Sequence, residues 1–244
     1  MLISGIFLIA TIFTFTSLTK VIDINCQYKG YDWNNWGPKQ TCFASLVSEV
    51  KEEDTNVAKI DGDYVNCECS VKAVIIDGKT CNYLLTGFMD HFPKMTDLYI
   101  FNAKLKHISR YEFQSYRGLR TISLSRNDLS YIPHDTFDDM INLEYFSLSI
   151  NKLRIIPNLK RLAKLKELYL FENKIEKLSF EDLSGNLNLE VLWIYSNNLN
   201  KIDSKIFNFL INLKDARFEN NNCISMNHPP TSVEIIKQEI NSKC

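Results

Sequence analysis

The sequence predicts an α/β solenoid, a stack of similar short units whose strands form one curved parallel sheet. Three observations predict it: a phrase of eleven residues recurs at nearly constant spacing, its apolar positions alternate as in a strand, and each copy holds an asparagine at the same place. The copies begin at Leu119, Leu143, Leu165, Leu189 and Leu213. These leucines lie 24, 22, 24 and 24 residues apart, so one register persists over roughly a hundred residues.

The phrase is L-x-x-L-x-L-x-x-N-x-L, the leucine-rich repeat signature. In the copy that begins at Leu119, Ile122 and Leu124 point to one face of a strand and Ser123 points to the other. The asparagine amide both donates and accepts hydrogen bonds, which suits it to satisfy a turning backbone. We therefore expect a buried ladder of stacked asparagines: Asn127, Asn151, Asn173, Asn197 and Asn221.

Two degenerate copies precede these five, because Val71 and Met95 continue the 24-residue frame. The prediction is a leucine-rich repeat horseshoe with a parallel concave sheet of about seven strands, an N-terminal cap with a disulfide and a hairpin, and a C-terminal helical cap. Caps are needed because each repeat has an apolar face that only a neighbour covers. Phenylalanines at one shared offset are expected to fill the convex side: Phe113, Phe137 and Phe207.

The chain divides into a signal peptide (1–19), an N-terminal cap (20–70), repeats (71–222) and a C-terminal cap (223–244). Residues 1–19 are apolar and uncharged, with small residues Ser17 and Thr19 near a candidate cleavage point. This pattern predicts a secreted, extracellular protein, and a retained N-terminal anchor is the alternative. A second apolar stretch of spanning length is lacking, so no stable membrane span is expected after processing.

Seven cysteines in a secreted chain predict disulfides. Cys26 and Cys42 bracket a turn-rich segment and are expected to pair. Cys223 and Cys244 are expected to tie a short terminal helix over the open end of the core. The apolar stripe of that helix is Val233, Ile235, Ile236 and Ile240.

The other three cysteines can form at most one bridge within the chain. A bridge between Cys67 and Cys69 would be strained, which favours Cys69 or Cys67 with Cys81, and we assign Cys69 to Cys81. Cys81 also falls at a core position of the repeat frame, so a buried thiol is the other interpretation. The leftover thiol is either buried or joins a second chain, which would give a disulfide-linked dimer through Cys67.

Two short strands are predicted before the repeats. Val57 and Ile60 fall in the first strand, Tyr64 and Val65 in the second, and Asp61-Gly62-Asp63 between them indicates a hairpin turn.

The repeats, with their phenylalanine-containing 24-residue frame, resemble those of extracellular proteins such as Toll ectodomains and Slit. The N-terminal Cys26-Gln27-Tyr28, Trp36 and Thr41-Cys42 are similar to secreted insect leucine-rich repeat proteins, including the mosquito leucine-rich immune proteins. The resemblance is to a short type without a C-terminal coiled coil, so a coiled-coil heterodimer is not expected. It implies recognition or scaffolding of immune factors.

The concave sheet is the common ligand face in this repeat family, and its outward positions follow from the register. Exposed aromatic side chains on neighbouring strands indicate a binding interface with a polar rim. The predicted ligand-binding residues are Tyr99, Phe101, Tyr145, Glu167, Tyr169, Phe171, Trp193, Tyr195, Asp215 and Arg217. The alternatives are a contact between two copies of the chain and rings that cover one another.

Residue types and charge exclude several classes of function. The net charge of −1 argues against nucleic-acid binding, which requires a clustered excess of basic residues. The basic run around Lys160, Arg161, Lys164 and Lys166 is a solvated face or a site for a polyanion. No nucleophile pair, phosphate loop or spaced metal cluster occurs, and the four histidines are isolated, so we expect no catalysis, no cofactor and no metal.

The predicted function is binding of an extracellular protein, or a large glycan, in innate immune recognition or scaffolding. The alternatives are a matrix or developmental signalling protein and a secreted enzyme inhibitor.

Overall fold

A computed structural model describes residues 21–31, 39–46, 50, 56–62, 71–78, 80–224 and 232–244. Its main feature is a ten-stranded sheet that follows the repeats from one end of this region to the other. The predicted signal peptide, Cys67 and Cys69 lie outside the described residues. The ten strands are β1 Val21–Tyr31, β2 Lys39–Leu46, β3 Asn56–Gly62, β4 Ala73–Asp77, β5 Asp97–Phe101, β6 Thr121–Ser123, β7 Tyr145–Ser147, β8 Glu167–Tyr169, β10 Val191–Trp193 and β12 Asp215–Arg217.

Seven of these strands, β4 to β8, β10 and β12, are the repeat strands that the sequence predicts. They are all parallel and pair in chain order, with equivalent positions of successive repeats directly opposite one another. Tyr99, Ser123, Ser147, Tyr169, Trp193 and Arg217 therefore form one row across the sheet. The predicted horseshoe and its parallel concave sheet are confirmed.

The N-terminal cap adds three strands to the same sheet instead of lying across its end. β1 pairs antiparallel with β2, and the Cys26–Cys42 disulfide joins this pair as predicted. β2 then pairs in parallel with β4, and β3 pairs in parallel with the other edge of β1. The cap thus continues the hydrogen bonding of the repeats, which leaves no open sheet edge at β4.

Asp61 and Gly62, which were predicted in a hairpin turn, lie instead in a strand. β3 runs through Asp61 and ends at Gly62, and its partner is β1, which is more than thirty residues away in the sequence. Tyr64 and Val65 lie outside the described residues. The antiparallel strand pair of the cap is β1 with β2. The pairing of β3 with β1 joins segments that are distant in the sequence, and a local turn signal does not indicate it.

The predicted asparagine ladder is present and buried, with Asn127, Asn151, Asn173, Asn197 and Asn221 5–8% exposed. Asn173 is typical. Its Oδ1 accepts from the Leu153 backbone N–H at 3.0 Å, and its Nδ2 donates to the carbonyls of Leu148 and Leu170 at 3.0 and 3.1 Å. Each amide therefore joins two successive turns of the solenoid and satisfies backbone groups that water cannot reach.

Short helices and turns line the convex side. Phe113, Phe137 and Phe207 are buried there, as predicted, and Phe137 lies 4.8 Å from Phe146 between ring centroids. The helices are α1 Phe88–His91, α2 Arg110–Phe113, α3 Phe180–Leu183 and α4 Ile206–Phe209, with a 3₁₀ turn at Gln114–Tyr116 and a small sheet of β9 Lys177–Leu178 and β11 Lys201–Ile202. α2 and α3 begin where Ser109 and Ser179 form capping boxes with Glu112 and Asp182.

The C-terminal cap is α5 Val233–Lys243, tied back by the predicted Cys223–Cys244 disulfide. Ser232 caps the helix by accepting from the Ile235 N–H at 3.4 Å. Ile236 and Ile240 are each 1% exposed and close the end of the core. Ile235 was predicted on the buried stripe but is 43% exposed, because it lies one residue, or about 100°, away from Ile236 on the helix.

Cys81 has a free thiol, which contradicts the predicted bridge to Cys69. The residue is fully buried at a core position of the first repeat, and its Sγ donates to the Tyr83 carbonyl at 2.9 Å. Burial raises the pKa of this thiol to about 12, so it stays protonated and behaves as a small apolar side chain. The dimer through Cys67 stays a prediction.

Among the described residues, no helix combines the length and apolar character that crossing a bilayer requires.

Candidate functional site

The concave face holds a cluster of aromatic side chains toward its C-terminal half. We call Tyr145, Tyr169, Phe171, Trp193 and Tyr195 the aromatic patch. All five were predicted as ligand-binding residues, and each is partly exposed. They come together because the strands are parallel and in register, so side chains 22 or 24 residues apart become neighbours.

Rings of the aromatic patch contact one another from strand to strand. Tyr169 lies between Tyr145 and Trp193, with centroid distances of 5.1 and 5.0 Å. Phe171 stacks on Tyr195 with centroids 4.7 Å apart and planes only 4° from parallel. These contacts hold the rings in fixed orientations, and the outer faces stay accessible. The patch therefore is partly self-covering and still offers a rigid apolar surface of the kind that dominates interfaces.

Charged side chains surround the patch as predicted. Tyr169 donates its hydroxyl proton to Glu167 at 2.7 Å, and the Trp193 indole N–H donates to Asp215 at 2.9 Å. The guanidinium of Arg217 lies over the Trp193 ring, 4.1 Å from its centroid, and its Nε is 3.8 Å from the Asp215 carboxylate. These three charged residues fix the rings of Tyr169 and Trp193.

Tyr99 and Phe101 were predicted on the exposed face, and the structure contradicts this. Their exposed fractions are 2% and 8%. They form a separate apolar cluster with Ala73 and Ile75, and Phe43 of β2 packs against it. The sequence did not indicate that β2 joins the sheet, so it could not indicate that its phenylalanine helps to cover this end of the concave face.

Four serines that the sequence analysis did not select lie between the two aromatic clusters. They form the floor of a concave pocket of about 490 Å³, which we call the serine notch and which is lined by Ser123, Ser125, Ser147, Ser149, Phe101, Tyr145, Glu167, Tyr169, Phe171 and Trp193. The signal that could have identified this pocket is that both outward rows of the sheet have serines in two successive repeats, between large aromatic residues. The serine hydroxyls pair within each strand, at 3.1 Å for Ser123 with Ser125 and 3.0 Å for Ser147 with Ser149.

Burial and the Glu167 carboxylate raise the pKa values of two tyrosine hydroxyls in the serine notch. Burial raises the pKa of the Tyr145 hydroxyl, and the Glu167 charge raises it further. The pKa of the Tyr169 hydroxyl is raised by burial, then by its hydrogen bond to Glu167 and by that charge. Both tyrosines therefore remain neutral at physiological pH, and Glu167 is the acidic residue among those that line this pocket.

The described residues contain no group of three or more histidine, cysteine, aspartate or glutamate side chains arranged to hold a metal ion. The groups that the concave face presents are rings, hydroxyls and a few carboxylates.

Comparison with known proteins identifies the fold. Residues 117–175 match the leucine-rich repeat family model. The solved leucine-rich repeat domain of APL1 is 18% identical and aligns over 82% of this chain and 48% of its own length, with a TM-score of 0.62. The leucine-rich repeat domain of APL1B is 20% identical over 63% of this chain and 44% of its own, with a TM-score of 0.52. The fold is therefore a leucine-rich repeat solenoid.

Sequence relatives share only part of their length with this chain. A probable glycoprotein hormone G-protein coupled receptor of Anthopleura elegantissima is 31% identical over 124 residues, which is 50% of this chain and 13% of the receptor. Mouse podocan is 33% identical over 124 residues, 48% of this chain and 20% of podocan. The chain thus spans a fifth or less of the length of these curated relatives. Their similarity to this chain concerns the repeats and does not identify a ligand of this chain.

Proposed function

We propose that this protein is secreted and binds an extracellular protein on its concave face, with the aromatic patch as the main contact. The observation that carries the proposal is the grouping of five partly exposed rings on three adjacent repeats, within or just after β7, β8 and β10. Aromatic side chains bury a large area at a small entropic cost, so they contribute much of the binding energy in protein interfaces. Seven repeat strands span about 30 Å, which suits a macromolecule better than a metabolite.

Three features support this proposal. Leucine-rich repeat proteins generally act as protein-binding scaffolds, and residues 117–175 match that family. One relative is named as a probable receptor for a glycoprotein hormone, which is a protein ligand. The two terminal disulfides suit an oxidising extracellular compartment.

For the biological setting, we favour innate immune recognition or scaffolding. Support comes from the similarity of the fold to the APL1 domains and from the resemblance of the N-terminal segment to secreted insect leucine-rich repeat proteins. Expression that rises on infection is the expected result. Constitutive expression restricted to one tissue would favour a developmental or matrix role.

The test of the binding surface is capture of partners from native extracellular fluid. The parent protein should recover a defined protein, and the variant with Tyr169→Ser and Trp193→Ser should lose at least about tenfold in recovery, because truncating a central ring typically costs more than about 1.4 kcal/mol. The matched control carries Tyr111→Ser and Tyr131→Ser, which remove two rings that are 59% and 62% exposed and lie outside the aromatic patch.

Thermal unfolding of all three proteins separates a lost contact from a lost fold. The proposal fails if the Tyr169 and Trp193 variant captures the same partner as well as the parent. Recovery of nothing except a dimer of the chain itself, abolished by reductant, would instead make the patch a contact between subunits.

A further inference from the structure

We infer that the serine notch receives an arginine side chain of the bound protein, between the rings of Tyr145 and Tyr169 and the carboxylate of Glu167. The inference rests on the proposed function and specifies the partner chemistry at one part of the same face. Its support is the shape of the notch, its hydrogen-bonding groups, its charge and a similar arrangement elsewhere on the sheet.

The notch exists because small side chains interrupt two rows of large ones. Along one row, Ser123 and Ser147 lie between Tyr99 and Tyr169. The residues two positions further on repeat the pattern, with Ser125 and Ser149 between Phe101 and Phe171. Three of the four serines are buried, at 2–3% exposure, so they form a floor below aromatic walls. The volume of about 490 Å³ accommodates one long side chain with part of its backbone.

A cation would complete the interactions of this pocket. Glu167 is bonded to the Tyr169 hydroxyl and, within the described part of the chain, makes no ion pair. Tyr145 and Tyr169 stand beside it with ring centroids 5.1 Å apart. Aromatic faces attract guanidinium groups, and a partly desolvated carboxylate strengthens that attraction.

The same sheet already binds one guanidinium in this way. Arg217 lies over the ring of Trp193 at 4.1 Å and beside the carboxylate of Asp215. Asp215 and Glu167 occupy equivalent positions two strands apart. At β12 the chain supplies the cation itself, two residues after Asp215, whereas the equivalent position two residues after Glu167 is Tyr169, so a cation at the notch has to come from a partner.

Hydrogen-bonding capacity favours arginine over lysine. A guanidinium has five N–H donors in a plane, and the notch offers acceptors on two sides: the Glu167 carboxylate at its wall and the serine hydroxyls at its floor. Each serine pair uses one hydroxyl proton in its internal bond and keeps lone pairs for a donor. A planar group also stacks on a tyrosine ring, which an ammonium group cannot do.

The charge of the surrounding surface favours the same ligand. On the outward positions of β6, β7, β8, β10 and β12 of the concave sheet, and at the residue two positions after each of these strands, the charged groups are Glu167, Asp215, Glu219 and Arg217. Three carboxylates against one guanidinium give an acidic surface. Such a surface attracts basic segments and disfavours sulfated or phosphorylated ligands.

The test uses short acetylated and amidated peptides with one central arginine flanked by glycine and serine, and the same peptides with citrulline in its place. Citrulline keeps the size and plane of arginine but has no charge. Binding is followed from the backbone amide NMR signals of isotope-labelled protein. The arginine peptide should give saturable shifts at the notch, and the citrulline peptide should bind at least about tenfold more weakly, since a charge-assisted bond typically contributes more than a neutral one.

Variants of the protein assign the effect to Glu167. Glu167→Gln should weaken the arginine peptide at least about tenfold and leave the citrulline peptide within about twofold. The matched control is Glu172→Gln, which removes an exposed carboxylate of the same repeat outside the notch and should bind both peptides like the parent. Equal binding of the two peptides, no effect of Glu167→Gln, or no shift with the arginine peptide overturns the inference.

Two further measurements separate this inference from the proposed function. Chitotetraose, a neutral oligosaccharide, serves as the alternative probe, and notch shifts with it in place of the arginine peptide would identify a glycan subsite and overturn the inference. Ser147→Tyr fills the notch while continuing the row of Tyr169 and Trp193, and it should reduce capture of the native partner about tenfold or more. If Ser147→Tyr captures normally while Tyr169→Ser with Trp193→Ser does not, the concave face binds the partner and the notch does not bind its arginine.

Discussion

At the scale of single residues, the position before each ladder asparagine has an unusual backbone. Arg126, Ile150, Glu172, Ser196 and Asn220 all have φ between 53° and 57°, which is the left-handed region that asparagine and glycine tolerate best. The turn requires this conformation to aim the next side chain into the ladder. Ile150 is the β-branched member of the row, so this repeat contains local backbone strain.

Replacement of Ile150 should therefore stabilise the protein. Ile150→Asn is expected to raise the free energy of unfolding by about 1 kcal/mol, because asparagine adopts the left-handed conformation at a lower cost. Denaturant titration measures the change. The control is Ile155→Asn, at an isoleucine that is 61% exposed and has no positive φ, with an expected change within about 0.5 kcal/mol. A less stable Ile150→Asn variant would show that its partly buried side chain matters more than the strain.

The ladder predicts an opposite effect at Asn173. Asn173→Ala should lower the free energy of unfolding by about 3 kcal/mol or more, because it leaves the Leu153 N–H and the carbonyls of Leu148 and Leu170 without this partner in a buried place. Asn188→Ala is the control: this exposed amide donates to the Ala163 carbonyl at 2.8 Å, and water can replace it. Equal losses in the two variants would contradict the structural role of the ladder. Capture of the partner by folded Asn173→Ala protein should stay near the parental level.

Single residues of the repeat frame were well predicted from sequence, and site residues less so. Eight of the ten proposed contacts are partly exposed on the concave face. Tyr99 and Phe101 are buried instead, because Phe43 of β2 packs against their cluster. The sequence does not indicate that β2 pairs with β4, since that pairing depends on the order of the strands in the sheet. The serines went unselected because hydroxyls are chemically ordinary. Only the large neighbours on both sides turn them into a pocket.

At the scale of the element, charges alternate along one edge of the repeat strands. The residue after the leading leucine of each repeat is Arg120, Glu144, Lys166, Glu190 or Lys214. Glu144 accepts from Arg120 at 2.7 Å and from Lys166 at 2.9 Å, and Glu190 pairs with Lys214 at 2.6 Å. This alternation gives the inner strands of the row, β7, β8 and β10, oppositely charged neighbours on both sides, which supports one stacking order.

The ion pairs of Glu144 along this edge predict that the stability of the protein depends on pH. Burial acts to raise the pKa of Glu144, but the hydrogen bonds and charges of Lys166 and Arg120 outweigh it, and the folded pKa lies below the ordinary 4.5. A lowered carboxylate pKa stabilises the fold fully above the unfolded value, and this stabilisation is lost as pH falls through the folded value.

The melting temperature of the parent should therefore decrease as pH falls below 4.5, and Glu144→Gln should make that decrease shallower. Calorimetry across this range measures both slopes. Glu181→Gln, at an exposed helix residue, should retain the parental slope. A Glu144→Gln variant as steep as the parent would assign the acid sensitivity to other carboxylates.

Caps were predictable as elements only in part. The cysteine spacing at both ends correctly indicated the two disulfides, and a serine before an apolar stripe indicated α5. The merging of β1, β2 and β3 with the repeat sheet was not predictable, because strand pairing between segments of irregular sequence leaves no periodic signal. The same reason explains the misplaced hairpin at Asp61-Gly62.

At the scale of the whole molecule, the horseshoe has one continuous apolar core from Ile22 to Ile240. Each repeat is stabilised through its neighbours, so the architecture follows from the repeat frame alone. The binding properties do not follow from it, since they depend on which side chains fill the outward rows at each step. Fold and site were thus predictable to different degrees because one rests on the repeated positions and the other on the variable ones.

The repeat of 22 residues from Leu143 to Lys164 has a consequence for how such a protein can change. Interior junctions share one register, so loss or duplication of a complete unit would leave both caps compatible with what remains. Loss of this unit would remove Tyr145, Ser147 and Ser149 together and join β6 directly to β8. These three lining residues of the notch would therefore be lost or duplicated together, and the concave surface would change while the stacking of the remaining repeats stayed intact.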